Sequence, residues 1–123
     1  MTRGQVTEIL IHPVKGEPGR SLPEVQVERD GLAGDRRKKA PVHLVGAGER
    51  TPEIRANFVL DLAADELAGW VGERVHLGGT TLAVTGIPSG CPGVYAAVDE
   101  PGAVHLGDVA ASVGPDETVV SGR

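Results

Sequence analysis

The sequence has few of the residues on which several common classes of protein depend. Its single cysteine excludes an internal disulfide and suits a reducing compartment, so a cytoplasmic protein is expected. One Phe, one Trp and one Tyr are too few for a surface that stacks single-stranded bases, and the net charge of −5 also argues against nucleic acid. No apolar run reaches the length of about 18 residues that a membrane span needs, so no membrane association is expected.

Glycine and proline are abundant instead. The 123 residues include 18 glycines and 9 prolines, spread along the chain, which predicts many tight turns. Between the turns, apolar and polar residues alternate over short segments, a pattern typical of half-buried strands. The segments predicted as strands are residues 5–14, 24–32, 41–48, 54–62, 73–79, 80–86, 93–100 and 107–114.

One segment alone favours a helical turn, residues 62–72, with Asp61 as its N-cap and Gly72 as its stop. Gly78 and Gly79 predict the turn of a hairpin. The pattern therefore indicates an all-β barrel or sandwich of short, mostly antiparallel strands. We expect a single domain over residues 1–123, with its core at about 6–113 and a C-terminal tail at 114–123.

The lone cysteine, Cys91, lies in the segment IPSGCPGVY at residues 87–95. Because Gly90 and Pro92 flank it, it is predicted to lie in a turn. A thiol in a turn is accessible, and its thiolate form attacks sulfur or carbon and binds soft metals. The residues alone leave open the alternative of a structural cysteine tucked under its loop.

Three further segments carry polar residues suited to anion binding. In GLAGDRRKK, residues 31–39, the glycines allow backbone N–H groups to converge on an anion, and Arg36 adds a fork for phosphate. The alternative is a solvated loop in which Asp35 pairs with a neighbouring arginine. Lys15 directly follows a predicted strand. It is either a binding group or an ordinary exposed lysine. Arg55 and Asn57 are two positions apart on a predicted strand, so their side chains are expected on the same face. That face would either line a polar ligand cavity or face solvent.

The histidines are too far apart in sequence for a structural zinc site. They are His12, His43, His76 and His105. His76 and His105 alternate with apolar neighbours and are predicted at the surface.

In this order the segments resemble the MOSC domain, a family named after the C-terminal domain of molybdenum cofactor sulfurase. The resemblance rests on PVKG (13–16), GLAGDRR (31–37), RAN (55–57), SGC (89–91) and GAVHLGDVA (102–110). It covers residues 6–113, nearly the whole chain. It implies a closed or nearly closed β-barrel with one short helical turn.

The resemblance also implies a molybdenum cofactor, molybdopterin. By position, Cys91 would be the catalytic residue and the ligand of molybdenum, and Lys15 and Arg36 would hold the pterin phosphate. The remaining polar residues around the cofactor would be Arg55, Asn57 and Ser89.

The implied reaction is the two-electron reduction of an N-hydroxylated or related small molecule, with electrons from a separate redox partner. A second implied role is that of a sulfur carrier, in which Cys91 holds a persulfide received from a cysteine desulfurase. A third interpretation is a non-catalytic, anion-binding barrel with a structural cysteine. No aminotransferase-like segment is present in this sequence, so pyridoxal phosphate chemistry is not expected of it.

Overall fold

The computed structural model describes residues 3–36, 40–51 and 53–115. These residues form short strands, one α-helix, α1 (Ala64–Ala68), and a 3-10 turn at Ala47–Glu49. The strands are β1 (Arg3–Ile11), β2 (Arg20–Ser21), β3 (Glu24–Glu28), β4 (Gly31–Leu32), β5 (Val42–Gly46), β6 (Phe58–Leu60), β7 (Glu73–Leu77), β8 (Thr80–Gly86), β9 (Val94–Glu100), β10 (Gly102–His105) and β11 (Val109–Pro115).

Seven strands close into a barrel in the order β1, β6, β5, β9, β8, β7 and β11, and β11 pairs back onto β1. The pairing of β5 with β6 is parallel, and the other pairings of the barrel are antiparallel. The short strand β2 pairs with the end of β1, and β10, β3 and β4 form a separate small sheet. The prediction of a closed all-β barrel of mostly antiparallel strands is confirmed.

Some of the barrel strands, such as β5 and β6, bury side chains on both of their faces. Along β5, Val42 and Leu44 belong to the main core, whereas Val45 belongs to a second, smaller apolar cluster. Because neighbouring side chains of a strand point in opposite directions, the main core fills the barrel and the second cluster lies on its outer face. The members of this outer cluster are Leu10, Val45, Ala56 and Val59, with Ile54 packed against them.

The hairpin prediction is confirmed, since β7 and β8 pair with Leu77 opposite Thr80 across the two glycines. The predicted helix caps are wrong. The N-cap is Ala63, whose N–H donates to Glu66 Oε1 at 3.0 Å, and α1 ends at Gly69 rather than at Gly72. Asp61 Oδ1 instead accepts a hydrogen bond from the backbone N–H of Gln5 in β1 at 2.5 Å.

Two predicted boundaries are also corrected. The strand expected at residues 54–62 covers only β6, and residues 54–57 before it are irregular. The expected tail at 114–123 starts too early, because β11 continues to Pro115 in its pairing with Glu73 of β7. The rest of that tail lies outside the described residues. No helix in the described part of the chain is long and apolar enough to cross a membrane.

Candidate functional site

A buried asparagine connects three segments on the outer face of the barrel. Asn57 is completely buried and directly precedes β6. Its Oδ1 accepts a hydrogen bond from the backbone N–H of His43 at 3.0 Å, and its Nδ2 donates to Leu10 O at 3.2 Å and to Asp35 Oδ2 at 2.9 Å. Its backbone N–H and carbonyl also bond to His43 O and to the Leu10 N–H. Asn57 therefore holds β1, β5 and the loop after β4 together.

The carboxylate of Asp35 connects the glycine-rich loop that follows β4 to the end of β1 by a hydrogen bond. Its Oδ1 accepts a hydrogen bond from the backbone N–H of His12 at 2.7 Å, while its Oδ2 accepts the bond from Asn57. Two donors from two different segments thus fix the orientation of this side chain. As a result, the position of the following residue, Arg36, is fixed relative to the segment that carries Lys15.

The ring of His43 extends the same network to the cysteine loop. Its Nε2 lies 2.9 Å from Pro92 O, and because a carbonyl oxygen can only accept, this nitrogen carries the proton. The ring packs edge-on against Tyr95, with 5.1 Å between the ring centroids. Gly93 has a φ of 92°, and a Cβ atom there would collide with Leu44 O, so the loop lies flat against β5.

Cys91 occupies the loop between β8 and β9 and is exposed, as is Ser89. The thiol therefore lies in an accessible turn, as its sequence context predicts, and not under its loop. Because Pro92 is bonded to His43, the backbone next to the thiol is held in place.

Lys15 and Arg55 are brought together by the fold. Both are exposed and line one open cleft of about 470 Å³. The buried ring of His12 and the carboxylates of Glu17 and Glu53 line the same cleft. The cleft thus presents two cations, two anions and an imidazole to any ligand.

Arg36 lies in a different hollow, with Asp30, Gly31 and Pro41 among its walls. Its side chain is half-buried, and its Nε is buried without a hydrogen-bond partner among the described residues. An unmade bond of a buried donor is costly, but this hollow has no room for a water molecule, so a ligand can meet only the exposed part of the Arg36 side chain. The three basic residues that follow it, at positions 37–39, lie outside the described part of the chain.

The structure corrects one predicted arrangement. Arg55 and Asn57 do not share a face, because their segment is irregular, so that Arg55 is exposed and Asn57 is buried. Asn57 is therefore a connecting residue and does not line the cleft. Sequence reasoning missed His12 and His43 as parts of this region, although His12 directly precedes the PVKG segment and His43 interrupts a buried apolar strand. His76 and His105 are exposed, as predicted.

Searches against protein-family models and curated proteins give no match. Solved structures do match. The YuaD protein from Bacillus subtilis superposes with a TM-score of 0.73 at 15% identity, over 89% of this chain and 94% of that chain. A second structure, of a hypothetical protein, has a TM-score of 0.73 at 14% identity, over 91% of this chain and 68% of that chain. At these identities the likeness shows a shared fold.

Proposed function

We propose that this chain is a MOSC-like domain that binds the molybdenum cofactor and supports the reduction of N-hydroxylated or related small molecules. Cys91 is the thiolate ligand of the metal in this proposal. Lys15 holds the phosphate of the pterin in the cleft, Arg36 adds a second cation in its separate hollow, and Arg55 and Ser89 contribute polar groups.

The observation that carries the proposal is the hydrogen-bond network on the outer face of the barrel. Asp35 belongs to GLAGDRR, Asn57 belongs to RAN, and Pro92 directly follows SGC. The backbone N–H of His12, directly before PVKG, bonds to Asp35. Four of the five segments that support the resemblance are therefore connected, directly or through an adjacent residue, by Asp35, Asn57 and His43. Buried polar networks are costly unless they are satisfied, so this one indicates that the relative positions of the four segments matter.

The residues present fit a cofactor of this class. No three His, Cys, Asp or Glu side chains of the described residues are grouped as a metal-ion site, so the chain would offer a metal one thiolate, with the cofactor supplying the other ligands. The cations of the cleft offer bonds to the anionic part of the cofactor, and the half-buried Arg36 adds a cation in its separate hollow. When bound, the cofactor supplies a metal that exchanges two electrons with the substrate.

The test is metal and pterin analysis of protein produced in a host that makes the cofactor. The wild type is expected to contain molybdenum and pterin in similar amounts. Cys91→Ser should lose most of the metal, because serine offers no thiolate, while Lys15→Ala should lower the content of both. Arg3→Ala is the matched control, since Arg3 is an exposed cation at the opposite end of β1. Wild-type protein with neither molybdenum nor pterin would contradict the proposal.

The exposure of Cys91 favours a second candidate function, that of a sulfur carrier. An accessible thiolate can attack the outer sulfur of a persulfide on a cysteine desulfurase and take that sulfur atom over. Incubation with a desulfurase and cysteine should then give a species heavier by about 32 Da, one sulfur atom, which reducing agent removes. Cys91→Ala should form no such species. An unchanged mass of the wild type would remove this candidate.

A further inference from the structure

The imidazole of His12 is held in one orientation at the wall of the cleft. Only 6% of the residue is exposed, yet it lines the cleft together with Lys15 and Arg55. Its Nε2 lies 3.1 Å from Ala56 O, and its backbone N–H donates to Asp35 Oδ1. Because the oxygen of Ala56 can only accept, Nε2 carries the proton.

In the neutral form of the ring, the other nitrogen of His12 is a hydrogen-bond acceptor. A neutral imidazole with its proton on Nε2 has a lone pair on Nδ1. Within the part of the chain that the structure describes, Nδ1 makes no hydrogen bond. Nδ1 is not among the buried polar atoms of the described residues that lack a partner, so this edge of the ring is open to the cleft and can accept a hydrogen bond from a ligand.

Gly19 lies against the Cε1 edge of this ring. A Cβ atom on Gly19 would lie 2.6 Å from Cε1 and 2.9 Å from Nδ1 of His12. The φ of Gly19 is not in the left-handed region, so the backbone conformation does not itself require glycine. The close approach to the ring explains the missing side chain.

We propose that His12 determines the specificity of the cleft, which selects an oxyanion that carries an O–H group. Lys15 and Arg55 attract the anionic oxygens, and Nδ1 of His12 accepts the hydrogen bond from the hydroxyl. The ligand class is hydrogen phosphate or a phosphate monoester in its singly protonated form. The identity of the larger molecule that carries the phosphate rests on the proposed function.

Sulfate is the discriminating probe. At neutral pH sulfate offers acceptors only, so one of its oxygens would face the lone pair on Nδ1 of His12. A site that hydrogen-bonds a ligand hydroxyl rejects analogues that lack it, because its own polar group is then left unpaired. The cleft should therefore bind inorganic phosphate at least about tenfold more tightly than sulfate.

The experiment is a titration of metal-free wild-type protein with phosphate and with sulfate at equal ionic strength, followed by NMR of the histidine ring nitrogens. Phosphate should shift the Nδ1 signal of His12, and the signals should place the ring proton on Nε2. His12→Phe removes both ring nitrogens, so phosphate affinity should fall to the level of sulfate, and urea unfolding checks that the variant stays folded without the bond to Ala56 O. Gly19→Ala should weaken phosphate binding as well. Gly48→Ala is the control, because Gly48 has no neighbour within 4 Å of its Cβ position.

Equal affinity for the two anions, no binding of either, or an unchanged preference in His12→Phe would each overturn this inference. These failures are distinguishable from failure of the proposed function. Protein that carries molybdenum and pterin but shows no preference for phosphate refutes the role of His12 alone. A clear preference for phosphate in protein that never acquires pterin supports the role of His12 and refutes the cofactor.

Discussion

Replacing Asn57 with aspartate changes one group of a fully buried side chain and removes its two hydrogen-bond donors. The Nδ2 group now donates to Leu10 O at 3.2 Å and to Asp35 Oδ2 at 2.9 Å. A carboxylate oxygen in its place would face two acceptors, one of them charged. Losing a bond to a charged group costs about 1.5–3 kcal/mol, and an unsatisfied carbonyl costs about 1–3 kcal/mol. We expect Asn57→Asp to lower the free energy of unfolding by about 3–5 kcal/mol, a large part of a typical total of about 5–15 kcal/mol.

The reciprocal change at Asp35 turns this prediction into a double-mutant cycle. Asp35→Asn alone keeps an acceptor for the backbone N–H of His12 but sets two amide NH₂ groups against each other. The double variant Asp35→Asn/Asn57→Asp restores one donor facing one acceptor, with the roles reversed. The destabilisation of the double variant should therefore be smaller than the sum of the two single effects by about 1–3 kcal/mol.

Urea unfolding followed by circular dichroism measures all four proteins, and equal slopes are needed before the free energies are compared. Gln26→Glu is the matched control, since it makes the same amide-to-acid change at an exposed position of β3. It should change stability by less than about 0.5 kcal/mol. A destabilisation below about 1 kcal/mol for Asn57→Asp, or a cycle without coupling, would refute the reasoning.

Three further predictions concern the cysteine loop and the barrel surface. Gly93→Ala places a side chain on a φ of 92° and against a carbonyl, so its melting temperature should fall by several degrees, and an unchanged value contradicts this. His43→Phe removes the bond to Pro92 O, so amide hydrogen exchange should accelerate at Cys91 and Gly93 but not in β7. Glu8→Gln breaks a partly exposed ion pair with Arg50. The urea midpoint of this variant should show that the free energy of unfolding falls by less than about 1 kcal/mol.

Most barrel strands could be predicted because their signal is local. In β3, Val25 and Val27 are buried while the residues between and beside them are exposed, the alternation that the sequence displays. The β7–β8 hairpin is local too, since its turn consists of the two adjacent glycines at 78 and 79. A period of two and a turn signal need no information from distant parts of the chain.

The irregular backbone at residues 54–57 could not be predicted, because the apolar residues of this segment and of β6 belong to two different clusters. Ile54 and Ala56 belong to the cluster on the outer face, whereas Phe58 and Leu60 fill the barrel. The sequence pattern merges both sets into one apparent strand. The partners of the Asn57 side chain are 14, 22 and 47 residues away in the sequence, and no local rule indicates such contacts.

The candidate anion-binding residues were predicted by type, but their grouping needed the fold. Lys15 and Arg55 are 40 positions apart in the numbering and share one cleft. Arg36, between them in sequence, lies in a separate hollow. The connection between the two places runs through Asp35, whose carboxylate bonds to the backbone of His12. A ligand that contacts both the cleft and the hollow would therefore meet Lys15 and Arg36 on segments that the carboxylate of Asp35 holds together.

The position of Cys91 follows from the same network. Its loop is exposed, but His43 holds Pro92, and Gly93 packs against β5. A thiol that must reach a metal or a persulfide needs access and a constant position, and exposure provides only the first of these. His43→Phe separates the two requirements, because it frees the loop without covering the thiol. If a constant position of the thiol is required, this variant should retain less molybdenum than the wild type, while iodoacetamide still modifies Cys91 at least as fast. Equal retention of molybdenum would show that the network serves stability alone.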